Sequence, residues 1–329
     1  MAELRHLERA LDLAERGRGT TAPNPTVGCV VVRDGEVVGE GWHERKGLPH
    51  AEAVALAQAG ERARGATMYV TLEPCAHHGV TPPCADAVVE AGIVRVVCAV
   101  GDPNPRTNGR GLERLRDAGI EVELVGGELE WRARAQNEGF RTWVSLGRPF
   151  VTYKAAVTLD GRVAAAGGDS RWVSGEASRR LVHELRAAAH AVAVGMGTVR
   201  RESPELTARD VGAVTQPRRL AFGRGPLPDG STLELRSGPL EEELRLLAGD
   251  GVQTLLLEGG PTLAGAFLRA GSIDRLLVFV APKLAGGDDA PGLFGGPAVR
   301  TIADMPAICR LETRAVGEDV LLDGYLREP

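Results

Sequence analysis

The stretch His50-Ala51-Glu52, with Pro74-Cys75 and Cys84 further along, organises the first half of this chain. One imidazole and two thiolates give a zinc ion three suitable ligands and leave the fourth tetrahedral position for water, as in catalytic zinc sites. Glu52 is too close in sequence to His50 to be a comfortable fourth ligand, but it is well placed to exchange a proton with a metal-activated water. The sequence therefore predicts a catalytic zinc site with His50, Cys75 and Cys84 as ligands and Glu52 as the acid/base.

The spacing of the two cysteines is unusual for such a site. A histidine, then a glutamate two residues on, and later Pro-Cys-x-x-Cys are typical of zinc enzymes that deaminate nucleobases. Here eight residues separate Cys75 from Cys84. Gly79 and Pro82-Pro83 suit a loop of that length, because glycine adopts unusual backbone angles and proline can open the following helix. The alternative is that His50, Cys75 and Cys84 are ordinary buried residues.

The segment from Thr71 to Cys84 resembles the zinc loop of the bifunctional riboflavin-biosynthesis deaminase/reductase family. The resemblance implies an α/β fold, with an N-terminal cytidine-deaminase-like three-layer α/β/α domain and a C-terminal dihydrofolate-reductase-like α/β domain. It also implies that Asn24, within the segment from Ala22 to Cys29, contacts the pyrimidine of the substrate. An asparagine between two prolines is equally typical of a simple turn.

The second half of the chain carries the reductase part of this resemblance, from Phe150 to Gly161, through Ser170-Arg171-Trp172, and again from Leu255 to Ala266. It implies NADPH as cofactor, with contacts at Ala156, Trp172, Thr198, Glu202, Gly260, Pro261, Thr262, Leu263, Ala264, Gly265 and Ala266. The residues that match substrate contacts of the family are Ser170, Arg186, Leu206, Arg209 and Glu258. Lys154 is a further catalytic candidate, as an electrostatic or proton-donating group near the sugar.

For some of these residues, the chemistry by itself supports the same role. A buried strand ending in Gly259-Gly260 lets a pyrophosphate approach the backbone, and a helix that begins at Pro261 offers free amide donors. The alternative is an ordinary strand-to-helix turn. Arg186 and Arg209 suit a ribose 5-phosphate because the guanidinium fork matches phosphate oxygens.

The reductase half also departs from the family pattern. Glu202 stands where the family usually has an aspartate, and the predicted strand from Arg219 to Phe222 ends in Gly223, where an aspartate is common. The segment from Gly223 to Leu244 is shorter than in other members of the family, and it is predicted to lack one strand that normally helps to cover the cofactor. An alternative hypothesis is therefore a deaminase whose reductase domain is impaired or altered.

Length and composition bound the architecture. A chain of 329 residues with 43% hydrophobic and 25% charged residues predicts two globular domains. Strands alternating with helices predict a mostly parallel sheet in the first domain. Gly147-Arg148-Pro149 is a plausible linker, so we expect a deaminase domain over 1–147 and a reductase domain over 148–329.

Charge and apolar patterning exclude several classes of partner. A net charge of −5 without a long basic run argues against nucleic acid as partner. No apolar run approaches the roughly 20 residues of a membrane helix, and nothing suggests a signal peptide or a disulfide framework. We expect a cytoplasmic enzyme with a small pyrimidine ribonucleotide as substrate, and the family resemblance implies a homo-oligomer, either a dimer or a tetramer.

The combined prediction is an enzyme of riboflavin biosynthesis with two activities. The family resemblance implies zinc-dependent deamination of 2,5-diamino-6-(5-phosphoribosylamino)pyrimidin-4-one. It then implies NADPH-dependent reduction of the ribosyl group of 5-amino-6-(5-phosphoribosylamino)uracil to ribityl. A nucleoside or nucleic-acid deaminase and a non-catalytic zinc module are competing hypotheses. The long cysteine loop and acidic charge argue against the first, and a three-ligand site argues against the second.

Overall fold

The structure, a computed structural model, describes residues 4–76, 82–105, 107–213 and 215–329. It divides into two compact units, Met1–Leu146 with Pro329, and Gly147–Glu328. The predicted linker begins at the first residue of the second unit. Gly79, which belongs to the predicted cysteine loop, lies outside the described residues.

The first unit is built on a five-stranded sheet in the order β2-β1-β3-β4-β5. The strands are β1 (Gly28–Arg33), β2 (Glu36–Trp42), β3 (Thr67–Val70), β4 (Arg95–Cys98) and β5 (Glu121–Leu124). The helices are α1 (Leu4–Ala14), α2 (Ala51–Ala59), α3 (Cys84–Glu90), α4 (Arg110–Asp117), α5 (Glu128–Gln136) and α6 (Glu138–Leu146).

Strand direction in this sheet differs from the expectation. The strand β1 pairs antiparallel with both β2 and β3, whereas β3, β4 and β5 are parallel. The prediction of a mostly parallel sheet is therefore wrong, and the sheet is mixed. The reason is the tight turn at Asp34-Gly35, where φ is 53° and 83°, because a two-residue turn joins antiparallel neighbours.

The sheet of the first unit is covered on both faces. Alternate residues of one strand point to opposite sides, so Val31 packs with α2, α3 and α4 while Val30 packs with α1 and α5. On β3, Met68 packs on the same face as Val31, and Tyr69 packs on the same face as Val30. The result is the three-layer α/β/α arrangement.

The polar region that follows β5 forms two helices, α5 and α6. The break falls at Asn137, whose side-chain oxygen accepts the N–H of Thr26 at 2.8 Å. Its side-chain nitrogen donates to the Thr26 carbonyl at 2.9 Å. Asn137 thereby fixes the backbone next to Asn24 and Pro25.

The second unit contains an eight-stranded sheet in the order β12-β13-β11-β6-β10-β7-β8-β9. Its strands are β6 (Phe150–Thr158), β7 (Ala191–Gly195), β8 (Arg218–Phe222), β9 (Glu234–Arg236), β10 (Thr254–Leu257), β11 (Arg275–Ala281), β12 (Arg310–Val316) and β13 (Asp319–Tyr325). Its helices are α7 (Glu176–Ala188), α8 (Met196–Glu202), α9 (Leu240–Gly249) and α10 (Pro261–Arg269).

The strands from β11 through β6, β10, β7 and β8 to β9 are parallel, so their carboxyl ends meet at one edge of the sheet. Leu255 and Leu257 face α9 and α10, while Leu256 faces α8 on the other side. The segment from Gly223 to Leu244, predicted to lack a strand, contains the short strand β9 and the start of α9. Among the described residues, none of the helices combines the length and apolar character that a membrane crossing requires.

Two glycines on β2 allow α2 to lie unusually close to the sheet. A Cβ atom at Gly39 would lie 2.1 Å from the carbonyl oxygen of Ala55, and one at Gly41 would lie 2.5 Å from that of Ala51. Both contacts are with helix backbone, which cannot move aside without shifting α2. The position of His50 and Glu52 therefore depends on these glycines.

We expect Gly39→Ala to lower the free energy of unfolding by about 1–3 kcal/mol, as overpacking does in other close-packed cores. Differential scanning calorimetry measures the effect, and the metal content of the purified protein should fall with it. Gly126→Ala is the control, because a Cβ atom there approaches only the end of the Glu130 side chain, at 4.0 Å. Equal transition temperatures for the two variants would contradict this account.

Candidate functional site

Three electron-rich side chains of the first unit meet at the ends of α2, β3 and α3. His50 precedes the first residue of α2, Cys75 follows β3, and Cys84 is the first residue of α3. The Nδ1 atom of His50 lies 3.8 Å from Cys75 Sγ and 3.3 Å from Cys84 Sγ. All three ligand atoms lie within 4.8 Å of one another. The structure thus brings the predicted ligand set together.

These distances suit a tetrahedral zinc ion. Bonds of about 2.0–2.3 Å at tetrahedral angles separate neighbouring ligand atoms by roughly 3.5–3.8 Å. The backbone N–H of Cys84 also donates to Cys75 Sγ at 3.4 Å, which supports a thiolate there. The side chains of Cys84 and His50 lower the pKa of the Cys75 thiol to about 4. The hydrogen bond between the side chains of the two cysteines raises the pKa of Cys84, a cost that a bound cation offsets.

Glu52 lies in the first turn of α2 and is 4% exposed. Burial raises the pKa of its carboxyl group to about 7. A group with such a pKa can both accept and return a proton near neutral pH. Glu52, His50 and Cys75 line one cavity of about 330 Å³, so the predicted acid/base faces the space beside the ligand cluster.

His43 and Asn24 also line this cavity. The ring of His43 lies between the carbonyl of Pro49, 3.2 Å from Nδ1, and the side-chain nitrogen of Asn24, 3.1 Å from Nε2. A carbonyl oxygen only accepts, so Nδ1 donates and Nε2 accepts an N–H of Asn24. Burial lowers the pKa of His43, which favours this neutral tautomer. The carbonyl oxygen of Asn24 therefore stays available to a ligand.

Glu73 was not predicted as a site residue, yet it holds one wall of the cavity. Its carboxylate accepts backbone N–H groups of Asp102 at 3.1 Å, Gly109 at 3.0 Å and Gly111 at 2.9 Å. Asp102 and Asn104 of this loop line the cavity. The glutamate before Pro74-Cys75 is visible in the sequence, but its partners follow only from the folded chain.

A second cavity, of about 350 Å³, lies at the carboxyl edge of the sheet in the second unit. It brings together many predicted residues, namely Lys154, Ala156, Ser170, Trp172, Arg186, Thr198, Glu202, Arg209, Glu258, Gly260 and Pro261. Its lining thus includes candidates for cofactor and for substrate binding.

The remaining predicted residues, Leu206 and Thr262 to Ala266, are not among the described residues that line this cavity. Leu206 is buried and packs against Met196 and Val199 of α8. The N–H of Ala264 donates to the carbonyl of Gly260 at 3.1 Å, so the amides of Thr262 and Leu263 are the free donors at the start of α10. Ala264, Gly265 and Ala266 follow inside the helix.

Glu258 is the charged centre of the second cavity. Its carboxylate accepts two hydrogen bonds from Arg186, at 2.6 and 3.0 Å, and its Oε2 lies 3.7 Å from Lys154 Nζ. Burial by itself raises the pKa of Glu258, but the charges of Lys154 and Arg186 bring it below its ordinary value. Arg186 is thus held by a carboxylate, whereas Arg209 is half-exposed and pairs with Glu205 at the surface.

Comparisons with known proteins cover both units. Residues 2–100 match the family described as cytidine and deoxycytidylate deaminase zinc-binding region, and residues 149–322 match the RibD C-terminal domain. The riboflavin biosynthesis protein RibD of Aquifex aeolicus is 42% identical over 96% of each chain. The RibD of Escherichia coli is also 42% identical, over 96% of this chain and 97% of its own.

Solved structures of the same kind are similar over nearly the whole chain. Acinetobacter baumannii RibD has a TM-score of 0.86 and 38% identity, covering 98% of both chains. A diaminohydroxyphosphoribosylaminopyrimidine deaminase/5-amino-6-(5-phosphoribosylamino)uracil reductase from Thermotoga maritima has a TM-score of 0.83 and 34% identity, again covering 98% of both chains.

The role of Glu73 can be tested by removing its charge. Glu73→Gln replaces one accepting oxygen by a donating NH₂ group, so backbone N–H groups of the Asp102–Gly111 loop lose their acceptor. We expect the free energy of unfolding to fall by about 1–3 kcal/mol. Hydrogen exchange of the loop amides should accelerate. Glu90→Gln, on the exposed end of α3, is the control, and unchanged exchange in the loop would contradict the assignment.

Proposed function

Because the chain belongs to the family of the riboflavin biosynthesis protein RibD, we propose that it catalyses two steps of riboflavin biosynthesis, a deamination and a reduction. The substrates we propose are those in the name of the Thermotoga maritima relative, a diaminohydroxyphosphoribosylaminopyrimidine and then 5-amino-6-(5-phosphoribosylamino)uracil. The two family matches, one in each half, support the predicted fold class and both activities. We assign deamination to residues 1–147 and reduction to residues 148–329.

One observation carries the deaminase assignment: His50, Cys75 and Cys84 meet in one ligand cluster, and His50 and Cys75 line the same cavity as Glu52. His50, Cys75 and Cys84 would hold zinc, which when bound lowers the pKa of a water molecule and activates it as nucleophile. Glu52 accepts a proton from water and returns it to the leaving amine, so that ammonia departs and a carbonyl group replaces the amine.

The walls of the first cavity position the pyrimidine ring. Asn24 offers its carbonyl oxygen, because His43 accepts one of its amide hydrogens. Asp102 and Asn104 stand on the loop that Glu73 holds. Lys46 is the cationic side chain among the described lining residues, and it suits an anionic substituent.

In the second unit, Thr198, Gly260 and the free amides of Thr262 and Leu263 would hold the dinucleotide NADPH, which when bound supplies a hydride. Ala156 and Trp172 extend this surface. The carboxylate of Glu258 lies 3.7 Å from the side-chain nitrogen of Lys154, and we place Lys154 beside the sugar of the substrate.

The competing hypotheses are less well supported. A deaminase with an impaired second domain is disfavoured, because the RibD C-terminal match spans residues 149–322 and the predicted residues line one cavity. A closed structural zinc site is disfavoured because, among the described residues, the metal-binding group comprises three side chains. The expected cytoplasmic location and homo-oligomeric state stay predictions.

The role of Glu52 can be separated from metal binding. Glu52→Gln keeps the three ligands but removes the proton acceptor, so we expect stoichiometric zinc and a rate of ammonia release lower by about 10²–10⁴-fold. Elemental analysis measures the zinc, and a coupled ammonia assay with the diaminopyrimidine nucleotide measures turnover. Glu61→Gln, on an exposed residue beyond α2, should keep full activity. Sustained ammonia release by Glu52→Gln would remove Glu52 from the mechanism.

Arg209 can be tested as the partner of the substrate phosphate. Loss of a charged hydrogen bond of about 1.5–3 kcal/mol predicts that Arg209→Ala raises KM roughly ten- to a hundredfold with little change in kcat. The measurement is the loss of NADPH absorbance in the presence of the deaminated intermediate.

Arg180→Ala, which removes an exposed charge from α7, is the control for Arg209→Ala. An unchanged KM would reject the phosphate assignment. Failure of the unaltered chain to oxidise NADPH would favour the deaminase-only hypothesis.

A further inference from the structure

Two arginines at the carboxyl end of β8 have no part in the sites described so far. Arg224 is the second residue after β8, and Arg200 reaches its backbone from α8, where the Nη2 atom of Arg200 donates to the carbonyl of Arg224 at 2.8 Å. Both side chains are exposed. None of the ion pairs found among the described residues involves either arginine, and the guanidinium group of Arg200 lies against the backbone of Arg224.

These arginines belong to the same edge of the sheet as the reductase cavity. The strands β6, β10, β7 and β8 are parallel neighbours, so the segments that follow them meet at one edge. Gly259-Gly260 follows β10, α8 follows β7, and Gly223 follows β8. A Cβ atom at Gly223 would lie 2.9 Å from the Met196 side chain, so the segment after β8 packs against the start of α8.

The order of the strands indicates how a bound dinucleotide would run along the carboxyl edge of the sheet. The predicted reacting groups are at one end, with Lys154 on β6 and Glu258 directly after β10. The amides suited to the pyrophosphate stand at the start of α10, after β10, and Thr198 stands in α8, after β7. The adenosine half then extends away from β6, toward β8. With strands about 4.8 Å apart, β8 lies roughly 14 Å from β6.

We propose that Arg200 and Arg224 bind the 2′-phosphate of NADPH and thereby select it against NADH. Sites that bind NAD commonly place an Asp or Glu on the ribose 2′-hydroxyl, whereas an arginine accommodates the 2′-phosphate of NADP. The sequence after β8, Gly223-Arg224-Gly225, contains no carboxylate. Guanidinium groups match phosphate oxygens in shape and charge. This inference rests on the proposed reductase function of the second unit.

The remaining arginine of this helix has a different position. Arg201 lines the reaction cavity, and its Nη1 atom would lie 3.2 Å from a Cβ atom at Gly168. Arg200 and Arg201 therefore leave α8 in different directions. Arg200 is the one that contacts Arg224.

Two ligands that differ only in the 2′-phosphate test the proposal, adenosine 2′,5′-bisphosphate and adenosine 5′-monophosphate. Isothermal titration calorimetry on the full-length chain measures both affinities. We expect Arg200→Ala and Arg224→Ala each to weaken binding of the bisphosphate by about ten- to a hundredfold, the range for one charged hydrogen bond. Binding of the monophosphate should change less than about twofold, since it lacks that contact.

Arg245→Ala, which removes an exposed charge from α9, is the matched control and should bind both ligands as the unaltered chain does. Arg224→Lys should retain part of the discrimination, because it keeps the charge but loses the fork. Bisphosphate affinities unchanged in both alanine variants would overturn the proposal. An equal loss of affinity for both ligands would also overturn the proposal, because it would indicate a general effect on binding of the adenosine half.

The outcome also separates this inference from the function on which it rests. If the unaltered chain binds NADPH more tightly than NADH and the variants keep that ratio, the reductase function stands and the arginine assignment is wrong. If the unaltered chain binds neither dinucleotide, the proposed reductase function itself fails, and this inference with it.

Discussion

The close contact between α2 and β2 is the packing constraint on which the first site depends. Small residues on both sides, Gly39 and Gly41 on the strand and Ala51 and Ala55 on the helix, let the two backbones approach. The first turn of α2 then carries His50 and Glu52 toward the sulfurs of Cys75 and Cys84. Because metal ligands must meet within a few tenths of an ångström, a helix displaced by one methyl group would separate the imidazole from the thiolates.

Each site relies on a buried glutamate that is held by its surroundings. Glu73 has backbone N–H groups as partners and keeps one wall of the first cavity in place. Glu258 has Arg186 and Lys154, and the three charges share the second cavity. A buried carboxylate without partners would be costly, so these contacts offset the cost of burial and orient the groups around each glutamate. Glu52 differs, because burial raises its pKa and leaves it able to exchange a proton.

Helices and strands could be predicted where the sequence pattern that specifies them is local. The buried strand before Gly259-Gly260 and the helix that begins at Pro261 are observed as β10 and α10, because side-chain periodicity reflects which face is buried. The expectation of a mostly parallel sheet in the first unit was wrong, since one hairpin reverses a strand and the sheet is mixed. The helical region after β5 is interrupted at Asn137. That break follows from bonds to Thr26, a residue 111 positions earlier.

The sequence by itself determined which atoms are available for chemistry, namely an imidazole, two thiols and a glutamate in the first unit, and a glycine turn before a helix in the second. These features are local, so their residue types and spacing suffice to suggest a metal site and a dinucleotide site. Only the tertiary structure decided the partners. The ion pair between Arg186 and Glu258 joins residues 72 positions apart in the sequence. The hydrogen bond between Asn24 and His43 joins residues 19 positions apart. Such contacts depend on how helices and strands pack. The local periodicity of the sequence does not indicate which distant residues will meet.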